Sequence, residues 1–375
     1  MARGKLEALD KALNKKYKDY ECKIIQKGDD DSEYMIVPTD SIALNRVLGN
    51  GGIPLGTLIL LSGPESGGKT ALGFAMLSAI QKNISKSGKK DQDGDLITTG
   101  NVALIDAERS YTKSWTEKLG VDTSDDRFRR IVPPSGEVGL EFVEELIRSG
   151  LYDGILIDSL NGLLPVAMME NEVGDATMGM QARMYSKAYA RIVGLADTYK
   201  TSLISISQER NAMDKYAPTV YAGGKSTRFY NHIILDVRRS EFLGSKDEPI
   251  GLRSKIKAKK NKCAVPYKIG EIDLYYENGF SFIVGTIEMA ANLGLIKKGG
   301  AWYTLNNGEK FQGKESVAEY FGERPDEYKE LFENVNNVLN MTLKEEKEAI
   351  INGDKKLIDE DSGQVVEVKE EDLNE

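Results

Sequence analysis

Residues 63–70 read Gly63-Pro64-Glu65-Ser66-Gly67-Gly68-Lys69-Thr70 and satisfy the pattern G-x-x-x-x-G-K-[ST] in full. The octet follows an apolar run, Thr57–Ser62, and precedes a helix-forming run, Ala71–Gln81. A strand that turns through glycines into a helix is the context in which this pattern binds phosphate. Each position has a physical task. The glycines let successive backbone N–H groups curl around phosphate oxygens, and the helix N-terminus adds its positive end. Lys69 reaches for the β- and γ-phosphates and Thr70 for Mg²⁺. The whole octet is therefore the candidate nucleotide cradle, with Mg²⁺ as the expected companion of the bound nucleotide.

The phosphate loop also dictates the surroundings. Four further short apolar runs recur, at Asn101–Ala107, Gly154–Asp158, Thr201–Ser207 and Asn231–Val237, most of them separated by helical stretches. Continuous apolar strands with crossover helices predict a mostly parallel sheet buried on both faces, so the expected class is α/β. In such sheets ligands sit at the carboxyl ends of the strands. Asp158 ends its run and is placed to hold the metal through a carboxylate. Glu108 follows another strand and can orient or activate an attacking water; Asp106, two residues earlier, competes for that role. Gln208 ends the strand that leads into a long aperiodic stretch, 209–226. An amide there can sense the γ-phosphate and pass the nucleotide state to the loop.

Other segments read more coarsely. Residues 4–20 read as a short charged helix with Leu6, Leu9, Leu13 and Tyr17 on one face. Residues 82–100 are polar and read as an exposed loop insertion. Four regions are expected: an N-terminal helical arm at 1–34, an α/β core at 35–279, a small second domain at 280–342 and an acidic, disordered tail at 343–375. That last stretch holds 12 acids and 5 lysines, whereas 251–268 holds seven Lys or Arg and no acid. A basic patch beside an acidic tail fits a polyanion-binding protein as well as a solvated strand with a solubilising tail.

Composition removes several classes of function. The 375 residues include one histidine, His232, and two cysteines, Cys22 and Cys263. A His-rich metal site, a Cys₄ zinc site and a disulfide framework are thereby disfavoured. No stretch approaches 18 apolar residues, so no membrane span is expected, and Met1–Lys18 lacks the apolar core of a signal peptide. The expected location is the cytoplasm.

Several segments together resemble the bacterial RecA recombinase family. They are GPESGGKT at 63–70, IDAERSYTKSWTEKLGVD at 105–122, IDSLNGLLP at 157–165, ENEVGDATMGMQARMYSKA at 170–188, GGKSTRFYNHIILDVRR at 223–239, KNKCAVPYK at 260–268 and LIKKGGAWYTLNNGEKFQGKE from 295. The likeness is collinear over about 35–342. It implies a RecA-like ATPase core, an N-terminal polymerisation arm and a small α+β C-terminal domain. It implies that Glu108 is catalytic, assisted by Lys69 and Gln208, and that Trp115 stacks on adenine. Lys260 and Lys262 would reach a neighbouring subunit's ATP. Loops at about 169–180 and 209–226 would bind DNA, with Met178, Arg183, Arg210, Gly223, Gly224, Lys225 and Arg228 as contacts.

The implied activity is ATP-dependent polymerisation on single-stranded DNA as a helical homo-oligomer, pairing with homologous double-stranded DNA, strand exchange and DNA-stimulated ATP hydrolysis, with no membrane partner. This sequence departs from the family pattern at Ser66-Gly67, usually Ser-Ser, at Trp115, commonly tyrosine, at Ser207, usually asparagine, in the 82–100 insertion and through 209–222. Two other readings use the same core: a RadA-like or hexameric helicase motor, and a nucleotide-gated filament that coats DNA without strand exchange.

Overall fold

The computed structural model describes residues 34–170, 179–209, 221–245, 247–352, 356–358 and 365–367, with side chains described as far as 339. The elements follow in chain order. The strands β1 (Ile36–Val37) and β2 (Ile53–Pro54) flank helix α1 (Ile42–Leu48). Next come β3 (Leu58–Gly63), α2 (Lys69–Asn83), β4 (Val102–Asp106), α3 (Lys113–Lys118), β5 (Phe128–Ile131), α4 (Gly136–Arg148), β6 (Gly154–Asp158), α5 (Val166–Glu170) and α6 (Met180–Tyr199). The core ends with β7 (Ser202–Gln208), α7 (Gly224–Tyr230), β8 (Ile233–Gly244), β9 (Pro249–Asn261), β10 (Ile269–Tyr275) and β11 (Gly279–Ser281).

Nine of these strands make one sheet in the order β11-β10-β9-β8-β3-β7-β6-β4-β5. From β8 to β5 neighbouring strands are parallel; β9, β10 and β11 extend the sheet antiparallel. The expected α/β class with a mostly parallel sheet is what forms. The cause lies in the sequence. β3, β4 and β6 are buried at every position, as strands covered by helices on both faces must be. One apolar layer lies under α2 and includes Leu72, Met76, Leu77 and Ile80; the other lies under α4 and α6 and includes Leu140, Val143, Tyr185 and Tyr189.

The strand expected at Asn231–Val237 runs on to Gly244 and pairs with β9 as a long antiparallel ribbon. The basic run 251–268 is thus part of the sheet as far as Asn261, its buried positions alternating with charged ones, and then turns into β10. The insertion at 82–100 is not a free loop. α2 continues to Asn83, a 3₁₀ turn follows at Ile84–Ser87, and Lys90 bridges to Leu96. Lys89 is buried and pairs with the equally buried Asp153 at 2.7 Å. It also donates to the carbonyl of Lys200 at 3.1 Å. A cation held inside the protein by an anion and a carbonyl anchors the insertion between two crossover connections.

Beyond the sheet, α8 (Ile283–Asn292) leads to a three-stranded sheet of β12 (Lys297–Gly299), β13 (Trp302–Thr304) and β14 (Lys310–Gln312), then α9 (Lys314–Gly322) and α10 (Pro325–Asn352). Their own core gathers Ile287, Ile296, Tyr303, Val317, Phe321 and Val335, and takes in Ile42 from α1. α1 is short, and capping fixes it: Ser41 Oγ accepts from Leu44 N–H, and Gly49 at φ 89° closes the C-terminus onto Asn45, caps typically worth about 1 kcal/mol each. α10 crosses the boundary expected at 342 and continues to Asn352. No proline or glycine interrupts 326–352, so nothing in the backbone stops the helix at that point. Two short strands, β15 (Lys356–Ile358) and β16 (Val365–Glu367), pair within the stretch read as disordered. The helix expected at 4–20 lies outside the described residues.

Candidate nucleotide site

Four strands end side by side around the phosphate loop. β3 runs into Gly63, paired with Gln208 at the end of β7. Next in the sheet, β6 ends at Asp158, paired with Asp106 at the end of β4. The sheet order therefore gathers the loop and residues 106–108, 158–159 and 208 along one carboxyl edge.

The loop leaves uncapped helix N–H groups facing outward. α2 opens at Lys69 behind Gly68, and no side chain caps its first turn. Its leading N–H groups are left for a ligand. A Cβ on Gly63 would stand 2.2 Å from the Val237 carbonyl, and one on Gly67 2.7 Å from the same atom. Glycine is required there by the close pass over β8. Lys69 is buried and donates to the Pro64 carbonyl at 2.5 Å. Burial pulls its pKa below the usual lysine value, opposed by Asp158, Glu65, Glu108 and Glu209.

Asp158 is the counterpart. Burial pushes its pKa up to about 6; Glu108 and Asp106 add to the rise, and the hydrogen bond with Thr70 and the charge of Lys69 oppose it. A buried carboxylate short of positive charge beside Thr70 fits a divalent cation. Among the described residues no three His, Cys, Asp or Glu side chains are grouped to hold a metal unaided. That suits Mg²⁺, whose usual partners are one or two protein groups, waters and phosphates.

Asp106 and Glu108 have different partners. Asp106 is buried, bound twice by Arg130 (2.9 and 2.6 Å) and once by the Ser110 N–H (3.1 Å). Glu108 is exposed at the cleft. Its Oε1 accepts from Ser159 Oγ and, at 3.4 Å, from Gln208 Nε2. The side chains of Glu108 and Gln208 thus meet in front of β6. Sequence reasoning missed the groups that aim them. Ser159 carries one half of the grip on Glu108, and Asn161 Oδ1 accepts from the Gln208 N–H at 2.9 Å. Both lie just past Asp158, but only strand order brings them to their partners. Trp115 is half-buried in α3 against the main core.

The residues assigned to DNA divide. Met178 and Arg210 lie outside the described residues. Arg183 projects exposed from the first turns of α6, and Lys225 and Arg228 project exposed from α7. Gly223 (φ 80°) and Gly224 (φ 65°) are both left-handed. Gly223 also has a packing reason to be glycine, because a Cβ there would sit 2.6 Å from the Tyr185 ring. Lys260 and Lys262 turn to the C-terminal end of α7. Lys260 Nζ donates to the carbonyls of Arg228 (2.6 Å) and Phe229 (3.1 Å), and Lys262 Nζ to Phe229 (3.3 Å). Burial, then Lys262 and Arg228, bring the Lys260 pKa down to about 8. His232 is structural, its Nδ1 accepting from the Leu58 N–H at 3.1 Å.

A phosphate loop on a parallel sheet, with acids at the ends of β4 and β6, defines a nucleotide-binding α/β core of the P-loop ATPase class. Comparison with known proteins narrows the class. The family model for the RecA N-terminal domain matches residues 7–281, and that for the RecA C-terminal domain matches 285–340. Curated relatives named Protein RecA include that of Leptospira biflexa, 38% identical over 85% of this chain and 80% of its own. That of Acidothermus cellulolyticus is 39% identical over 78% and 80%, and that of Lactobacillus johnsonii 35% identical over 91% of each. The chain belongs to the RecA family.

Proposed function

We infer that this chain is a recombinase: a DNA-dependent ATPase that binds single-stranded DNA and catalyses strand exchange. The observation that carries the reading is the meeting of Glu108, Gln208 and Ser159 at the carboxyl edge that also holds Lys69, Thr70 and Asp158, inside a chain matched to RecA across both domains.

The chemistry follows from the side chains. The N–H groups of 67–70 and the Lys69 ammonium hold the ATP triphosphate, and Lys69 draws charge off the γ-phosphate in the transition state. Thr70 and Asp158 hold Mg²⁺, which neutralises phosphate charge when bound. Glu108 orients the attacking water and accepts its proton. Gln208, touching Glu108 and beginning the second DNA loop, carries the nucleotide state outward. Trp115 offers an aromatic face to adenine. Lys260 and Lys262 complete a neighbour's site in a helical homo-oligomer, acting as cations supplied in trans. In an isolated chain the α7 carbonyls hold them.

DNA affinity comes mainly from phosphate neutralisation by Arg183, Arg210, Lys225 and Arg228, with Met178 as an apolar wedge between bases. Gly223 and Gly224 bring the backbone close to phosphate. Double-stranded DNA is read by base pairing with the bound strand. Among the described residues no helix is long and apolar enough to cross a membrane. We place the protein in the cytoplasm.

Strand exchange between a circular single strand and a homologous linear duplex, with ATP and Mg²⁺, tests the reading. Joint molecules that need homology support it. Unwinding without homology would favour the ring-motor alternative. Coating without exchange at matched DNA occupancy would favour a structural filament.

A further inference from the structure

β3 leaves the sheet at Gly63 to become the phosphate loop, while β8 beside it continues to Gly244. The sheet therefore lacks a strand just past Gly63, and four charged side chains occupy that gap. Glu209, the residue after Gln208, donates its N–H to the Gly63 carbonyl at 3.1 Å. Its carboxylate spans to the ribbon: Oε2 meets Arg238 Nη2 at 2.6 Å and Oε1 meets Lys259 Nζ at 3.1 Å. Asp236, paired with Ser62 across β8, shares both cations, at 2.8 Å to Arg238 and 3.3 Å to Lys259. The Glu209 and Asp236 side chains are only 12% and 10% exposed.

The cluster is electrically balanced, so Arg238 and Lys259 do not offer net positive charge to a polyanion. With both carboxylate oxygens held by cations, Glu209 is not free to act as a base. Position is what remains. Each end of the bridge lies one residue from a group already given a role: Gln208 before Glu209, and Lys260 after Lys259. Val237, between the two β8 members of the cluster, carries the carbonyl over which Gly63 and Gly67 pass.

We infer that Glu209 is a positioning residue: through Arg238 and Lys259 it ties the strand end that carries Gln208 to the ribbon that carries Lys260 and ends one residue before Lys262. The in-line side of the nucleotide and the cations destined for a neighbour are then set as one rigid unit. This inference rests on the roles given above to Gln208 and the two lysines.

The test uses the full-length chain with Glu209→Gln, Glu209→Asp, Lys259→Met and the double variant Glu209→Gln/Lys259→Met. The readouts are kcat and KM for ATP with and without single-stranded DNA, and Tm. Glu209→Gln should lower DNA-stimulated kcat at least about tenfold, in line with the cost of small misplacements of reacting groups, and leave KM within about twofold. Glu209→Asp should restore most of the rate. The double variant should be no slower than Glu209→Gln alone, because both changes break one bridge. Wild-type kcat in Glu209→Gln, or losses in kcat that track Tm and are not restored by aspartate, would overturn the inference.

A wild-type protein indifferent to DNA would count against the proposed function instead. The bridge is then judged on basal hydrolysis by a cycle of Glu209→Gln with Gln208→Ala. Non-additivity beyond about threefold supports it, and additivity overturns it.

Discussion

A raised carboxyl pKa at Asp158 should make the proposed nucleotide site pH-sensitive. The Asp158 carboxyl is held at about 6 by burial, with Glu108 and Asp106 adding to the rise. The unfolded chain would ionise near 3.8. A folded-state pKa above the unfolded one contributes stability that is fully present below about 3.8 and is lost as pH rises through about 6. The difference corresponds to about 3 kcal/mol. Asp158→Asn should therefore raise the Tm of the nucleotide-free protein at pH 7 and leave it nearly unchanged at pH 4.

Binding runs the other way. In the proposed site Mg²⁺–nucleotide would need the carboxylate, which at a pKa of about 6 is about nine-tenths ionised at pH 7 and about one-tenth at pH 5, so affinity should fall about tenfold between them. The nucleotide's own phosphates titrate nearby, and Asp158→Asn is the control that keeps their contribution. Titrating a fluorescent ATP analogue with Mg²⁺ into both proteins from pH 5 to 8 gives the ratio of their Kd values. The ratio should change about tenfold between pH 5 and 7. A constant ratio, or a Tm lowered by Asp158→Asn at pH 7, would refute the assignment of Asp158 as the ionising group of the metal site.

Three other outcomes are expected. Glu108→Gln should keep ATP binding and lower kcat by roughly 10²- to 10⁴-fold; normal turnover in a steady-state assay would mean that another group handles the water. Lys89→Met should cost about 3–5 kcal/mol in denaturant unfolding, because Asp153 is left buried without its cation; unchanged stability would show that the 82–100 segment is not anchored by this pair. Truncation after Asn352, where α10 ends, removes most of the acidic tail and should strengthen duplex binding at low salt. Equal duplex affinity at every salt concentration would remove the tail from competition with DNA.

What the sequence reveals and what it hides differ by range. The phosphate loop, Asp158, Glu108 and Gln208 are legible because each sits at the end of a short apolar run, and a parallel sheet delivers such ends to one edge. The groups that aim them are not. Ser159 and Glu108 lie 51 positions apart, and Asn161 and Gln208 lie 47 apart. Nothing local marks these pairs before the order β7-β6-β4 is known. Lys89 looks like one more polar residue in a polar stretch until Asp153, 64 positions on, takes its charge. The β8–β9 ribbon is obscured for a related reason. Its charged side chains project from a strand whose other positions are buried, and in sequence the charge dominates. The reach of Lys260 and Lys262 onto α7 depends on the register of that ribbon, which no motif encodes.

In the proposed function, DNA and subunit contacts complete the ATPase site. The most direct measurement is ATP hydrolysis with and without circular single-stranded DNA across a range of protein concentrations. Hydrolysis should be slow without DNA, strongly stimulated with it and steeper than linear in protein concentration. Hydrolysis indifferent to DNA and strictly proportional to protein would contradict the proposed function.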